Sequence, residues 1–340
     1  MTTETPLRFG LVGSGRIGQV HAASIAAEPG AVLARVADPL VQGAIAVTER
    51  FGGIATDDAA ELFAADDIDA LLIASPTPTH VDLIARAVDA GIPVLCEKPI
   101  DLDIARVDAL RPRVAAAGVP VALGFNRRFD PGFASARARV ASGEIGDLEQ
   151  LTIVSRDPTP PPAAYIAISG GLFRDMAIHD FDMARFFVED IIEVHAVGSA
   201  TFDPGAREHS DFDTAVTTLR AASGALITVI NSRHSAVGYD QRLEAFGGRG
   251  SVQVANMSTS LVSVSTADAV EARSPYEPFF LQRYAIAYAA ELREFIALVH
   301  GRPSASPTFD DGRAALILAD AAQRSAEEGR AVSVDLVSSP

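Results

Sequence analysis

The sequence predicts an α/β protein in two parts. A doubly wound parallel sheet occupies residues 1–125, and a second α/β domain with an antiparallel sheet occupies 126–340. Two observations predict the first part: apolar strand-like runs alternate with helical patterns, and a G-x-G-x-x-G turn joins the first strand to the first helix. One predicts the second: beyond Ile191 short β-like segments follow one another without intervening helices. A chain of 340 residues also exceeds one ordinary core.

Leu7–Val12 is a short apolar run of buried-strand type, followed at once by Gly13-Ser14-Gly15-Arg16-Ile17-Gly18 and a helical pattern through Val20, Ala23 and Ile25. In this context the first glycine makes the tight turn and the second admits a pyrophosphate to the backbone. The third lets helix and strand pack closely, and the helix N-terminus attracts the anion. The strand Ala31–Ala37 ends at Asp38, about 20 residues beyond the motif, where a carboxylate accepts from both ribose hydroxyls and repels a 2′-phosphate. No Arg follows at Pro39 or Leu40, so the expected cofactor is NAD, in preference to NADP.

Val41–Phe51 reads as a helix, and Asp57 and Asp58 can cap a short one through Phe63. Ala70–Ile73 is a buried strand whose end carries Ser75-Pro76-Thr77-Pro78-Thr79-His80, kept irregular by its prolines at the edge where open α/β sheets bind ligands. Ser75, Thr77 and His80 are therefore cofactor-edge candidates; for His80, helix capping and surface use compete with that role. Helix Val81–Ala90 leads to strand Val94–Cys96 and then Glu97-Lys98-Pro99. Asp101 is placed to cap helix Ile104–Ala117, and strand Val121–Leu123 ends in Gly124-Phe125-Asn126-Arg127. Lys98, just past a strand end, can stabilise negative charge developing on a substrate oxygen, or it can be a surface Lys beside a turn.

Gly170–Phe187, GGLFRDMAIHDFDMARFF, is the richest stretch of the second half. On an ideal helix Asp175, His179 and Asp182 share one face and Met176, Met183 and Phe187 another. Asp can then orient His for proton transfer, the bland alternative being a solvated polar face. Asp180 falls nearer the apolar arc, with no role that the wheel explains. Leu148–Arg156 reads as a strand running into the proline-rich Asp157–Pro162. Ile191–Ala200, Ala215–Arg220, Ala225–Asn231, Arg242–Phe246, Ser251–Val254 and Leu261–Ser265 supply the antiparallel sheet, with Gly224 and Gly247-Gly248 at turns. Tyr284–Val299 and Asp311–Glu328 are helices.

The composition, 48% hydrophobic and 21% charged, is globular. A net charge of −16 opposes binding to nucleic acid or to an anionic membrane, and no run approaches the ~18 apolar residues of a span. The start, MTTETPLRFGLVG, lacks the basic and long apolar regions of a signal peptide. A single cysteine, Cys96, excludes an intrachain disulfide, so the expected compartment is the cytoplasm. His195, His209 and His234 have no metal-ligand spacing, and no metal site is expected.

Three signals, GSGRIG, EKP at Glu97–Pro99 and D-x-x-x-H at Asp175–His179, together resemble the glucose–fructose oxidoreductase/inositol dehydrogenase (Gfo/Idh/MocA) family. GFNRRFDPGF and SRDP are similar to the inositol 2-dehydrogenase branch. The resemblance implies a Rossmann domain followed by an α/β domain with a large, mostly antiparallel sheet that often forms the interface of a homo-oligomer, commonly a tetramer. It implies catalytic roles for Lys98, Asp175 and His179, a Lys98–Pro99 bond that is often cis, and cofactor contacts around Gly13, Gly15, Arg16, Ile17, Gly18, Asp38, Glu97 and Lys98. Arg127, Asp157, Asp175, His179 and Tyr239 match the positions that contact polyol hydroxyls; Asp157 is a departure, since many relatives carry Asn there. The implied activity is NAD-dependent oxidation of myo-inositol to 2-keto-myo-inositol. A scyllo-inositol or aldose dehydrogenase is the near alternative, and a non-catalytic NAD-responsive regulator the distant one.

Overall fold

The computed structural model describes residues 5–188 and 190–337. The chain divides into two compact units, one running to Phe129 and including Ala287–Arg313, the other formed by Asp130–Ile286 and the chain from Ala314 onward. A second domain continuous over 126–340 is the sequence expectation; Ala287–Arg313 instead packs with the first unit. The reason is apolar burial: Leu292, Phe295 and Ile296 join the core of Phe9, Leu11, Ile25, Leu33 and Val47, with the Phe295 ring 6.2 Å from that of Phe9.

In the first unit β1 (Leu7–Val12), β2 (Ala31–Ala37), β3 (Ile54–Thr56), β4 (Ala70–Ile73), β5 (Val94–Glu97) and β6 (Val121–Gly124) form one sheet in the order β3-β2-β1-β4-β5-β6. Every pairing is parallel. The central strands are buried on both faces, which is why they read as unbroken apolar runs. Strand order reverses between β1 and β4, and a crevice opens there at the carboxyl ends. The short edge strand β3 is too brief for its pattern to show in sequence. Helix Ile104–Ala117 is capped by Asp103, whose side chain accepts from Ala105 N–H, and not by Asp101. Asp101 instead takes the Leu102 and Asp103 N–H groups and pairs with Arg106 at 2.7 Å.

The second unit is built on β7 (Leu148–Arg156), β8 (Ile191–Ser199), β9 (Thr214–Ala221), β10 (Leu226–Ser232), β11 (Asp240–Gly247) and β12 (Gly250–Val254). Past the small hairpin of β13 (Ser263–Val264) and β14 (Ala272–Arg273), β15 (Val332–Ser333) closes the sheet in the order β12-β11-β7-β10-β9-β8-β15. The pairings are antiparallel except β7 with β10. One face is core and the other is exposed, as the alternation along β9 shows. Val197, Val216, Leu226 and Phe246 stand on the exposed face.

That one parallel pair has a local consequence. Arg156 lies opposite Ser232 of β10 on one side and Asp240 of β11 on the other. The residues just beyond the register, Asp157, Arg233 and Tyr239, therefore leave three adjacent strands at the same sheet edge. Among the described residues no helix is long and apolar enough to cross a membrane.

Candidate active site

The glycine turn is built as its motif requires. Gly13 has φ +99°, and a Cβ there would stand 2.6 Å from Ala74 O, so the turn after β1 lies directly against the chain leaving β4. A Cβ on Gly18 would stand 2.1 Å from Gly13 O, whereas one on Gly15 would meet nothing within 4 Å. The second glycine thus faces open space at the helix start, with exposed Arg16 beside it, and helix Arg16–Ala27 has no side-chain cap on its first N–H groups. An uncapped helix start behind a glycine cradle suits an anion.

Asp38 is held at the tip of β2. Its Oδ2 accepts from Ser14 N (2.8 Å) and Ser14 Oγ (2.7 Å), and its Oδ1 from Leu40 N (2.9 Å). Burial opposes its charge, but the bonds from Ser14 and Leu40 prevail and hold the carboxyl below the ordinary Asp range. A carboxylate has about four lone-pair sites, so acceptor capacity for ribose hydroxyls remains. The cradle and this fixed anion fit an adenine dinucleotide without a 2′-phosphate.

Across the crevice Ser75 Oγ lies 2.6 Å from Thr79 Oγ1, and Thr77–Thr79 forms a 3₁₀ turn. His80, expected at the cofactor edge, is buried, with Nε2 2.8 Å from Ser75 O and Nδ1 2.8 Å from Pro99 O. Both ring nitrogens face protein carbonyls, so the ring ties the loop after β4 to the Lys98-Pro99 turn and does not present itself to a ligand. Glu97, also expected among cofactor contacts, turns its carboxylate inward: Oε1 lies 2.7 Å from His21 Nε2, and Oε2 accepts from Lys98 N at 3.3 Å. Lys98 is half-buried between these two anchored neighbours, and its bond to Pro99 is cis. Cys96 is wholly buried, and burial pushes its thiol well above the ordinary range, which suits a core residue and not a nucleophile. Arg127 is buried on a 3₁₀ turn, Asn126–Phe129, after β6.

In the second unit Gly170 and Gly171 both have φ near the left-handed region, +84° and +83°, and a Cβ on Gly171 would lie 2.7 Å from Asp211 Oδ1. The helix expected through Phe187 does not run straight from this point. Phe173–Ala177 is a π turn and Ile178–Phe187 the α-helix that follows. A π turn inserts a residue and rotates everything after it, so the ideal wheel fails. Asp182 is buried, not on a shared polar face, and Asp180 is buried with it.

Asp175 stands in the π turn. Its Oδ1 accepts from Tyr165 Oη at 2.9 Å and its Oδ2 from Arg233 Nη1 at 3.1 Å. His179 is the second residue of the α-helix, one before Asp180. Ser155 Oγ donates to Asp180 Oδ1 (2.6 Å), Asn231 Nδ2 donates to Asp180 Oδ2 (2.7 Å), and the Gln241 amide lies 2.8 Å from the same Ser155 hydroxyl. The acid without a role on the wheel is thus the anchor that pins the His179 helix onto β7, β10 and, through Ser155, β11. Tyr239 is buried edge-on against Phe279 and Tyr284, with ring centroids at 6.4 and 5.9 Å. The strand register brings Asp157 and Tyr239 to one edge, and Arg233 links that edge to Asp175.

Arg233, Tyr165 and Asp180 escape sequence reasoning. The signal for Arg233 lay in the register: it occupies on β10 the position that Asp157 occupies on β7. For Asp180 it was an acid placed on an apolar arc.

Residues 7–125 match the oxidoreductase family model for an NAD-binding Rossmann fold, and residues 133–253 match the GFO/IDH/MocA C-terminal domain. The chain is 44% identical over 330 residues to an inositol 2-dehydrogenase of Rhizobium meliloti, covering 96% of this chain and 99% of the relative. It is similar to the crystal structure of a myo-inositol dehydrogenase from Corynebacterium glutamicum, with a TM-score of 0.94, 52% identity, and coverage of 97% and 99%. A scyllo-inositol dehydrogenase from Lactobacillus casei, solved with NAD(H) and scyllo-inositol, gives a TM-score of 0.89 at 29% identity, with coverage of 98% and 100%. The glycine cradle, the Asp38 anion and these likenesses along the whole chain lead to one statement: the chain belongs to the Gfo/Idh/MocA oxidoreductase family, with its NAD-binding Rossmann domain.

Proposed function

We propose that this chain is an NAD-dependent inositol 2-dehydrogenase that oxidises the axial secondary alcohol of myo-inositol to the ketone. The observation that carries this reading is the end-to-end likeness to enzymes of that name. The residues up to 125 are assigned to the cofactor and the remainder to substrate and assembly, apart from the segment that packs with the first unit.

His179 accepts the hydroxyl proton, since imidazole suits proton uptake near neutrality. Lys98 donates to the same oxygen and stabilises its alkoxide character. Asp175, fixed by Tyr165 and Arg233, binds a neighbouring hydroxyl and orients the base. Arg127, Asp157 and Tyr239 pair with further hydroxyls, so that a ring lacking one is penalised. The turn Gly13–Gly18 and Asp38 would hold NAD, with Ser75 and Thr77 at its nicotinamide half; when bound, NAD supplies the hydride acceptor.

Initial rates with myo-inositol, scyllo-inositol and D-glucose, each with NAD and NADP, test the reading. The expected order places myo-inositol with NAD first. Higher kcat/KM for glucose than for every inositol isomer would remove the cyclitol assignment and leave the family. The scyllo-inositol reading is favoured by the solved relative that holds that isomer, and the same rates separate it.

We also place the enzyme in the cytoplasm as a homotetramer serving inositol breakdown. A lone, buried cysteine suits a reducing compartment. The exposed apolar face with Val197, Val216, Leu226 and Phe246 supports association through the second sheet, and sedimentation analysis reads the assembly directly.

A further inference from the structure

We propose that Arg233 is a positioning residue of this site: its buried guanidinium fixes the Asp175 carboxylate and balances the charge of Asp157, so that both carboxylates stand ionised. The proposal rests on the reading of Asp157 and Asp175 as substrate-binding groups.

The geometry begins with the parallel pair β7–β10. Asp157 N donates to Ser232 O at 2.9 Å, so Asp157 and Arg233 leave the sheet together. Arg233 N donates to Asp213 O at 2.8 Å, which ties the Arg backbone to the start of β9. Its Nη1 donates to Asp175 Oδ2 at 3.1 Å; the Arg233 side chain is 2% exposed and that of Asp175 15%. The cation is sealed from water while the carboxylate it holds is not. That is the arrangement of a fixed charge behind a ligand-facing acceptor.

A buried guanidinium is tolerated only where anions compensate it. Asp175 from the π turn, Asp157 from the end of β7 and Asp211 from the segment before β9 supply that compensation, and together they outweigh the burial that disfavours the charge. Asp211 Oδ1 also accepts from Leu172 N at 2.9 Å, so the same cluster fixes the entry to the π turn. With Tyr165 on the other oxygen, Asp175 is held from both sides.

Asp157 and Asp175 both act on the one guanidinium, so without the cation two carboxylates would stand near one another with less positive charge between them. Neighbouring carboxylates there titrate as a coupled pair, and one keeps its proton to higher pH. A protonated carboxyl presents a donor where a substrate hydroxyl needs an acceptor. Lys would keep the charge but not the planar fork.

The test compares Arg233→Met, Arg233→Lys, Asp157→Asn and the double variant Arg233→Met/Asp157→Asn in the full-length protein. Two readouts are needed: kcat and KM for myo-inositol from about pH 6 to 10, and the melting temperature of the NAD-free protein. Arg233→Met is expected to lower kcat/KM about tenfold or more, to move the acid limb to higher pH, and to leave NAD affinity by calorimetry within about twofold. Adding Asp157→Asn is expected to restore about threefold of that activity and to raise the melting temperature, although Asp157→Asn alone does not raise it. Arg233→Lys is expected to keep the acid limb of the parent. A parental pH profile in Arg233→Met, with losses that multiply in the double variant, would overturn the proposal. If Arg233→Met does not fold, Arg233→Lys decides, and a limb moved upward despite the retained charge overturns it. If the parent enzyme turns over no inositol, the functional reading fails, while the melting temperatures still decide the charge balance.

Discussion

The glycine turn of the first unit is a cradle made of backbone, and the candidate site of the second unit is made of side chains held by other side chains. At Gly13–Gly18 the requirement is the absence of a Cβ, imposed by atoms such as Ala74 O and Gly13 O within 3 Å. Around Asp175 and His179 it is a set of partners drawn from Tyr165, Ser155, Asn231 and Arg233. A backbone site tolerates few changes but needs few residues. A side-chain site can be retuned one partner at a time. The substitutions that follow strike each kind of construction.

The largest effect is expected at the two groups proposed to act on the substrate oxygen. Lys98→Ala and His179→Ala should each cut turnover about a hundredfold or more while NAD binding by calorimetry stays near that of the parent. Turnover within about threefold of the parent for either variant would remove that residue from the chemistry.

Next comes the anchor beneath His179. Asp180→Leu leaves the Asn231 amide facing a hydrocarbon in a buried place and leaves the Ser155 hydroxyl with Gln241 as its remaining partner. An unmet buried group costs about 1–3 kcal/mol, so a loss of about 2 kcal/mol of unfolding free energy is expected, with kcat falling alongside. Asp180→Asn, which can still accept from Asn231 and donate toward Ser155, should lose less. Equal stability of Asp180→Leu and parent in urea titrations would show that the helix is held by packing alone.

The contrast between the two edges also explains what could be read without coordinates. G-x-G-x-x-G and Asp38 were legible because steric need and chain reversal act over neighbouring residues, and the parallel sheet followed from the same alternation. Asp180 was not: its partners Ser155 and Asn231 lie 25 and 51 residues away, and only the fold brings them together. The π turn at Phe173–Ala177 was hidden because the wheel presumes 3.6 residues per turn. Helix Ala285–Val299 showed its apolar character but not its destination, since burial is non-directional and Phe9 offers a partner no closer in sequence than any other. His80 shows the reverse case: its place beside a ligand edge suggested contact, and its ring nitrogens lie against two carbonyls that the sequence did not reveal.

A smaller loss is expected from the backbone edge. Gly18→Ala puts a Cβ where Gly13 O stands 2.1 Å away, and backbone cannot rotate aside as a side chain can. The turn must open, at a cost of about 1–3 kcal/mol by analogy with overpacking, and NAD should bind at least about tenfold more weakly. Gly15→Ala meets no protein atom within 4 Å. It should therefore leave stability unchanged and weaken NAD alone, so the pair separates a steric fault in the fold from one at the ligand. Equal melting temperatures for the two variants would contradict this division.

The smallest effect belongs to Asp38, a side chain beside the glycine turn. Asp38 is held by Ser14 and Leu40, and no Arg follows it to receive a 2′-phosphate. NAD should therefore exceed NADP in kcat/KM by about tenfold or more, about 1.4 kcal/mol. Asp38→Ala should narrow the gap, chiefly by weakening use of NAD. The pH dependence follows from the sign of the shift. The folded-state pKa lies below the ordinary Asp value, so the carboxylate is fully formed above the ordinary range and is lost only as pH falls through the depressed value. Binding of NAD, whose ribose carries no ionisable phosphate, should hence stay level from neutral pH down to the ordinary Asp range. A loss of NAD binding that begins near neutrality would mean that another group, not Asp38, reads the ribose, and equal use of NAD and NADP by the parent would remove the assignment altogether.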